Sequence, residues 1–386
     1  MNDPSDLLDT TKLFSEEEQL VAATVRRFVA DKVQPLIEDC YEAGRFPLEL
    51  VRELGALGLF GMRIPEDGGP VPSATAYGLA CLELEAGDSG LRSFVSVQGS
   101  LAMHAIATYG SEEQRAEWLP GLRTGEFLGC FGLTEPDAGS DPAAMRTSAK
   151  RDGSDWVLDG SKLWITNGSV ADVAVVWAQT EDGIRGFLVP KGTAGFTATD
   201  IHHKLSMRAS ITSQLSFDRC RLPASALLEG VSGLKGPLSC LNEARFGIVF
   251  GVLGAARSAL ETALSYAGSR QVFGRPLASF QLTQAKLAEM ATTLATSTLL
   301  ASHLGRLKEA GTLRPEQVSL GKLHNVSGAL GIAREARTIL GANGITLDYQ
   351  VMRHVANLET VLTYEGTHEV HLLSVGRALT GLSAFS

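Results

Sequence analysis

From about residue 240 to residue 379 the chain reads as four long segments with apolar residues at helical spacing: 240–268, 280–310, 315–340 and 350–379. Only short breaks part them, at "GSRQVFGRP", "EAGTLRP" and "GANGITLDY". Long amphipathic segments joined by short connections have few ways to bury their faces, and an antiparallel four-helix bundle is the expected one. No other feature constrains the fold as tightly.

The rest of the chain falls into two textures. Ser15-Glu16-Glu17-Glu18 reads as a helix N-cap with its capping box. Val21, Val25, Phe28, Val29, Val33 and Leu36 then recur as a helical stripe. Pro47 is expected to open a second helix through Leu57, and a third runs from about Ala74 to Glu85, with more helix after Arg92 and "PEDGG" at 65–69 as punctuation. Near Gly129 the pattern changes to β-rich runs, "SDWVLDGSKLWITNG", "ADVAVVWAQT", "IRGFLVPKG" and "SQLSFDRCRL", parted by turn signals such as Asp152-Gly153 and Asp182-Gly183. The expected fold class is α+β multidomain: an N-terminal all-α domain (1–126), a middle antiparallel β domain (127–232) and a C-terminal four-helix bundle (233–386).

Composition narrows the function classes. At 386 residues, 44% hydrophobic and 20% charged, the chain has apolar mass for a large core. A net charge of −9 leaves no basic stripe for a nucleic-acid backbone. The five cysteines are widely spaced without a C-x-x-C pair, which fits a reducing compartment and argues against a disulfide framework. The acidic opening "MNDPSDLLDT" is unlike a secretory signal, and no run of 18 apolar residues stands out as a membrane span. A cytoplasmic location is the expectation.

"TYEGTHEVH" at 363–371 places two carboxylates and two histidines within a few positions. His368 and His371 stand at i, i+3, not the i, i+4 of a zinc helix, and no third ligand has a recognisable spacing, so no metal site is expected. "GALGLFG" at 55–61 lacks the preceding strand of a Rossmann turn and reads as a helix end. Four stretches carry more information. "CFGLTEPDAGSDP" (130–142) runs from a strand into a loop whose Thr134, Gly139 and Ser140 suit a heterocycle or phosphate. In "WITNG" (164–168), Trp164 offers a planar wall, with Thr166 on the same strand face. Arg270, in "RQVFGRPL", suits a pyrophosphate. The fourth is "YEGT". Each has a bland alternative: a simple turn, a core tryptophan, a helix cap.

In this order and spacing the stretches resemble the acyl-CoA dehydrogenase family over essentially the whole chain. The resemblance implies FAD bound without a Rossmann fold, and usually a homotetramer. It implies that Phe131, Leu133, Thr134, Gly139 and Ser140, with Trp164, Ile165 and Thr166, line the flavin, Ser140 also meeting the pantetheine arm. Arg270, Phe273 and Gln281, with Thr338, Leu340 and Gly341 of "TILGA", would bind pyrophosphate and adenosine, partly across a subunit interface; Thr367 would also meet the flavin. "DSGLRSFVSVQGS" (88–100), "CLNEARFGIVFGVLGA" (240–255) and "TYEGTHEVH" with "GRALTG" are similar to the glutaryl-CoA dehydrogenases. That similarity implies Glu365 as catalytic base and Arg92 as the grip on a distal carboxylate, with Glu85, Ser93, Arg245, Tyr364 and Gly366 also at the substrate. Phe94 departs from the pattern as a bulkier residue and would narrow the distal pocket.

The chemistry suits these residue types. A thioester α-proton is weakly acidic, so its removal needs a positioned base and donors for the enolate oxygen, the Glu365 N–H among them. A buried carboxylate on the substrate must be paired, and arginine holds it with two parallel bonds. The expected activity is dehydrogenation of glutaryl-CoA with decarboxylation to crotonyl-CoA, an electron-transferring flavoprotein accepting the electrons. The alternatives are a short-chain or other dicarboxylyl-thioester dehydrogenase without decarboxylation and, from a different class, a flavin-free helical binding protein.

Overall fold

The first helix begins as its residues dictate. The Ser15 hydroxyl accepts the Glu18 N–H, and the Glu18 carboxylate accepts the Ser15 N–H at 2.8 Å, opening α1 (Glu16–Phe28). The computed structural model describes residues 7, 9–66 and 68–384; most of the acidic opening stretch, and Asp67 of "PEDGG", lie outside the described residues. A π-helical turn, Val29–Val33, carries the buried stripe from α1 into α2 (Gln34–Ala43). The helix expected from Pro47 is shorter: a 3-10 turn at Leu48–Leu50 leads into α3 (Val51–Ala56). Gly58, at φ 71°, then takes the left-handed step that reverses the chain. There follow α4 (Ala74–Gly87), buried along its whole length, α5 (Ser89–Ser96), α6 (His104–Tyr109) and α7 (Glu112–Thr124).

The middle region is a seven-stranded sheet: β1 (Gly129–Gly132), β2 (Ser148–Asp152), β3 (Asp155–Thr166), β4 (Val173–Thr180), β5 (Gly183–Pro190), β6 (Phe196–Asp200) and β7 (Thr212–Leu222). Most neighbours are antiparallel, as expected, but β1 runs parallel to β4, so the sheet is mixed. The β3–β7 pairing slips twice, between Leu158 and Gly160 and between Lys162 and Ile165.

The C-terminal helices are α8 (Lys235–Ser269), α9 (Gln281–Glu309), α10 (Pro315–Leu340), α11 (Val351–Thr363) and α12 (His368–Thr380), with a β8–β9 hairpin (Gln271–Val272, Arg275–Pro276) after α8. Two expectations are corrected here. The segment 350–379 is two helices, broken at Tyr364–Thr367 because Glu365 and Gly366 take left-handed backbone at φ 52° and 100°. And α8 is long and apolar enough, by length and composition, to cross a membrane. It is apolar all round because α4, α9, α10 and α11 pack around it. Gly251 and Gly254 let α4 lie close: a Cβ on Gly254 would stand 1.8 Å from the Leu82 carbonyl oxygen.

Asn357 of α11 joins all three regions. Its side chain donates to Asp88, the N-cap of α5, at 2.9 Å and accepts the Met207 N–H of the middle region at 2.8 Å. Arg353, one turn earlier, lies 3.2 Å from Asp88. The start of α5 and the first half of α11 are thereby fixed against each other.

Candidate active site

α5 presents Arg92 toward α4 and α8. Arg92 and Glu85 are both fully buried; Arg92 Nε donates to Glu85 Oε2 at 2.7 Å, and Ser89 supports the other carboxylate oxygen at 2.9 Å. A Cβ on Gly251 would fall 2.3 Å from Glu85 Oε2, so glycine makes the room for this pair. Arg92 Nη2 donates to the Tyr364 hydroxyl, while Nη1, also buried, has no partner among the described residues. Arginine pairing with Glu85 and reaching the Tyr364 turn are therefore both realised. Ser93 is buried beside them. Phe94 does not narrow this site: two residues on from Arg92, it points about 200° away around the helix. It stacks on Phe46 at 4.2 Å inside the N-terminal core.

The Tyr364–Thr367 turn is held by cations. Arg245 Nε donates to the Glu365 carbonyl at 2.6 Å; Lys322 Nζ donates to the carbonyl of Tyr364 and, at 2.6 Å, to that of Gly366. Gly366 is required here, since a Cβ would meet His371 Nε2 at 2.8 Å and Arg245 Nη2 at 3.2 Å. Glu365 is half-buried as a residue, but its Oε2 is sealed from solvent and unpartnered among the described residues. Burial pushes its carboxyl above the ordinary range, and Arg92, Lys322 and Arg245 offset this only in part. Burial also pulls Lys322 down to about 7 and His371 to about 3. A carboxylate of raised basicity, next to three cations, is equipped to take a proton from carbon and to tolerate an anion nearby.

The 130–142 loop and the β3 bulge form a second group. Leu163 N–H donates to the Thr134 carbonyl at 2.9 Å, tying the two together. Lys162, buried, bonds Glu135 at 2.7 Å and the Leu133 carbonyl at 3.1 Å, and Glu135 also accepts the Arg146 and Thr147 N–H groups. At the bulge Trp164 has φ 63° and is 58% exposed. It is not a core tryptophan. Gly139 and Ser140 are exposed, Thr134 and Thr166 half-buried; the side chains of Phe131, Leu133 and Ile165 lie in the core and serve as walls behind them.

Arg270, Phe273 and Gln281 lie at the opposite end of α8. The Arg270 backbone N–H caps that helix, and its side chain is exposed. Phe273 is 93% exposed at φ 48° in the tight hairpin turn. Thr338 and Gly341 are exposed nearby, with Leu340 in the bundle core; Asn343 reaches Tyr266 at 3.1 Å, joining this turn to the end of α8. Thr367 is the N-cap of α12. Arg245 and Arg270 are 25 positions apart along α8, roughly 37 Å at helical rise.

The domain families described as acyl-CoA dehydrogenase N-terminal, middle and C-terminal domain match residues 15–126, 130–220 and 232–380. The human mitochondrial short-chain specific acyl-CoA dehydrogenase is 36% identical over 367 residues, 93% of this chain and 89% of its own. The chain belongs to the acyl-CoA dehydrogenase family. Among solved structures, a glutaryl-CoA dehydrogenase from Mycobacterium smegmatis in complex with FADH2 is 61% identical, covers both chains fully and superposes with a TM-score of 0.99. A chain from the structure of the electron transferring flavoprotein of Acidaminococcus fermentans is 34% identical, covers 95% of this chain and 98% of its own, and has a TM-score of 0.91.

As a member of this family the protein is a FAD-dependent oxidoreductase of acyl-CoA thioesters. Its residues fit the cofactor. A tryptophan held exposed in left-handed backbone costs about 1–3 kcal/mol, and such strain persists where a function uses it. Trp164 is a plate of this kind, fastened beside the hydroxyl and glycine loop. Of the eight non-glycine residues with positive φ among those described, Trp164, Phe273 and Glu365 are residues singled out from the sequence.

Sequence reasoning missed Lys322, the Glu135–Lys162 brace and the Asp88–Asn357–Arg353 fastening. Lys322 had a signal. It falls in the apolar phase of α10, with Val318, Val326 and Ala329, where a lysine has no business unless it has partners. The brace and the fastening join residues far apart in sequence and leave no local trace.

Proposed function

We propose that this acyl-CoA dehydrogenase oxidises glutaryl-CoA and decarboxylates the product, giving crotonyl-CoA and CO2. The observation that carries the reading is Arg92: a fully buried guanidinium with one nitrogen unpartnered among the described residues, in the same cluster as a carboxylate oxygen of Glu365 that is likewise unpartnered among them. A buried charge left in this state favours an anionic ligand group. The likeness to the Mycobacterium smegmatis glutaryl-CoA dehydrogenase supports the same substrate.

Glu365 takes the α-proton of the thioester, and the Glu365 N–H is among the donors to the oxygen that becomes the enolate. Thr134, Trp164, Thr166 and Thr367 would hold the ring system of FAD, which would supply the acceptor for the β-hydride, with Ser140 at the pantetheine arm. Arg92, kept straight by Glu85 and Tyr364, grips the distal carboxylate until it leaves as CO2. Its electron pair passes into the conjugated thioester, and protonated Glu365 returns its proton to the γ-carbon. Tyr364 on one side and Ser93 on the other shape the end of the pocket.

Electrons then pass to an electron-transferring flavoprotein, a partner class consistent with the Acidaminococcus fermentans likeness. The bare Phe273 supports assembly into a homotetramer in which a second copy supplies Arg270, Phe273 and Gln281. Supplying glutaryl-CoA with an artificial electron acceptor and identifying the product tests the reading. Crotonyl-CoA with one CO2 per turnover is expected. Glutaconyl-CoA would leave a dehydrogenase that does not decarboxylate, and turnover of butyryl-CoA alone would leave a short-chain enzyme.

A further inference from the structure

Three successive carbonyls, those of Tyr364, Glu365 and Gly366, are each taken by a side-chain cation. Lys322 takes the two outer ones and Arg245 the middle one. Turns between helices commonly satisfy such groups with water or a glycine cap. Two cations from two different helices, α8 and α10, exceed what capping needs, and burying Lys322 in the core of α10 is unfavourable in itself.

The peptide plane shows what this arrangement accomplishes. In a trans peptide the C=O and the N–H point to opposite sides. The Tyr364 carbonyl faces Lys322, so the N–H of the same peptide, which is that of Glu365, points away from it. Among the described residues this N–H has no acceptor. A cation on the carbonyl polarises the whole peptide and strengthens its N–H as a donor.

We propose that Lys322 is a positioning residue for the reaction: it holds the Tyr364–Gly366 turn in its left-handed form and polarises the Tyr364–Glu365 peptide, so that the Glu365 N–H meets the thioester oxygen as an enolate forms. The proposal rests on the reading of Glu365 as the base. Lys322 is also titratable. The charged and titratable groups around it are Arg92 on α5, Glu85 on α4, Arg245 on α8, Tyr364 and Glu365 in the turn, and His371 on α12. Burial brings Lys322 to about 7, so its charge, and the polarisation it supplies, fade as pH rises through that value.

The holoenzyme with Lys322→Gln keeps a donor but loses the charge; Lys322→Met loses both and serves if the first variant does not fold. Affinity is measured by calorimetry for acetoacetyl-CoA, which ionises to an enolate, and for crotonyl-CoA, which does not; kcat is followed against pH. Removing an oxyanion donor outright costs about 10²–10³ in kcat. An indirect support should cost roughly tenfold or more in kcat and in acetoacetyl-CoA affinity, with crotonyl-CoA affinity nearly unchanged and the alkaline limb of kcat lost. Equal losses for both ligands, or a fall in FAD content and melting temperature alone, would overturn the proposal. Glu365→Gln measured alongside separates the two readings. If it turns over normally, the base assignment fails. If it is inactive while Lys322→Gln and Lys322→Met retain kcat and enolate affinity, only the Lys322 proposal fails.

Discussion

Glu83 and Glu85 lie two residues apart on α4, which turns them about 200° from each other. Both are buried, and both are paired with arginine. Glu83 receives Arg257 at 2.8 and 2.6 Å and Arg26 at 3.0 and 3.2 Å, so both its oxygens are doubly bonded. Burial alone would raise its carboxyl, but the two guanidiniums more than offset this and hold it below the ordinary range. On the other face, Glu85 is bonded by Arg92 and Ser89, and the cluster it enters includes two atoms unpartnered among the described residues, Arg92 Nη1 and Glu365 Oε2. A buried ionic group that is fully satisfied fastens helices; one left incomplete calls for a further partner, such as a water, an ion or a ligand.

That contrast can be broken from either side. The largest expected effect is on the open side: Glu365→Gln keeps the turn and the yellow cofactor but should lower kcat by about 10²–10⁴-fold, the usual range for a general base. Turnover near wild type would remove Glu365 from that role. On the closed side, Glu83→Ala leaves Arg257 without its main partner and should cost about 3–5 kcal/mol in urea unfolding. The turnover of the folded fraction should stay unchanged; a selective loss of turnover would show that Glu83 also serves the site.

Arg92→Ala comes next. It strands Glu85 and will destabilise the fold, so the informative readout is a ratio. Glutaryl-CoA kcat/KM should fall about 10²-fold further than butyryl-CoA kcat/KM, in line with truncation of one partner of a buried charge pair. Equal falls would place Arg92 on the structural side of the comparison.

The smallest effect is in the acid range. Burial holds His354, against Ser258, and His371, beside the turn, near 3, while unfolded histidine titrates near 6.5. Between those values the unfolded chain binds protons that the folded one refuses. Stability should therefore be full above about 6.5 and decline as pH falls toward about 3. Urea midpoints measured across that range check it; a flat profile would mean that neither histidine stays neutral in the fold.

Much of the architecture was legible in the chain itself, because helical periodicity, capping boxes and strand alternation are local signals. The capping box at Ser15 and the three-part texture are cases in point. Periodicity could not reveal the break between α11 and α12, since that break rests on left-handed backbone at Glu365 and Gly366. Only tertiary contacts from Lys322 and Arg245 make left-handed backbone at Glu365 stable. The same holds for Trp164, whose exposure depends on a register slip between two strands about fifty residues apart in sequence. The direction of Phe94 likewise depends on where α5 meets the core.

The sequence by itself determined which elements form and which residue types are available for acid–base and anion-binding chemistry, because propensity and pattern act over a few residues at a time. The tertiary structure decided which buried charges are satisfied and which are left open. That depends on distance in space between groups from α4, α5, α8, α10 and the 364–367 turn, and Coulombic pairing and desolvation answer to that distance alone.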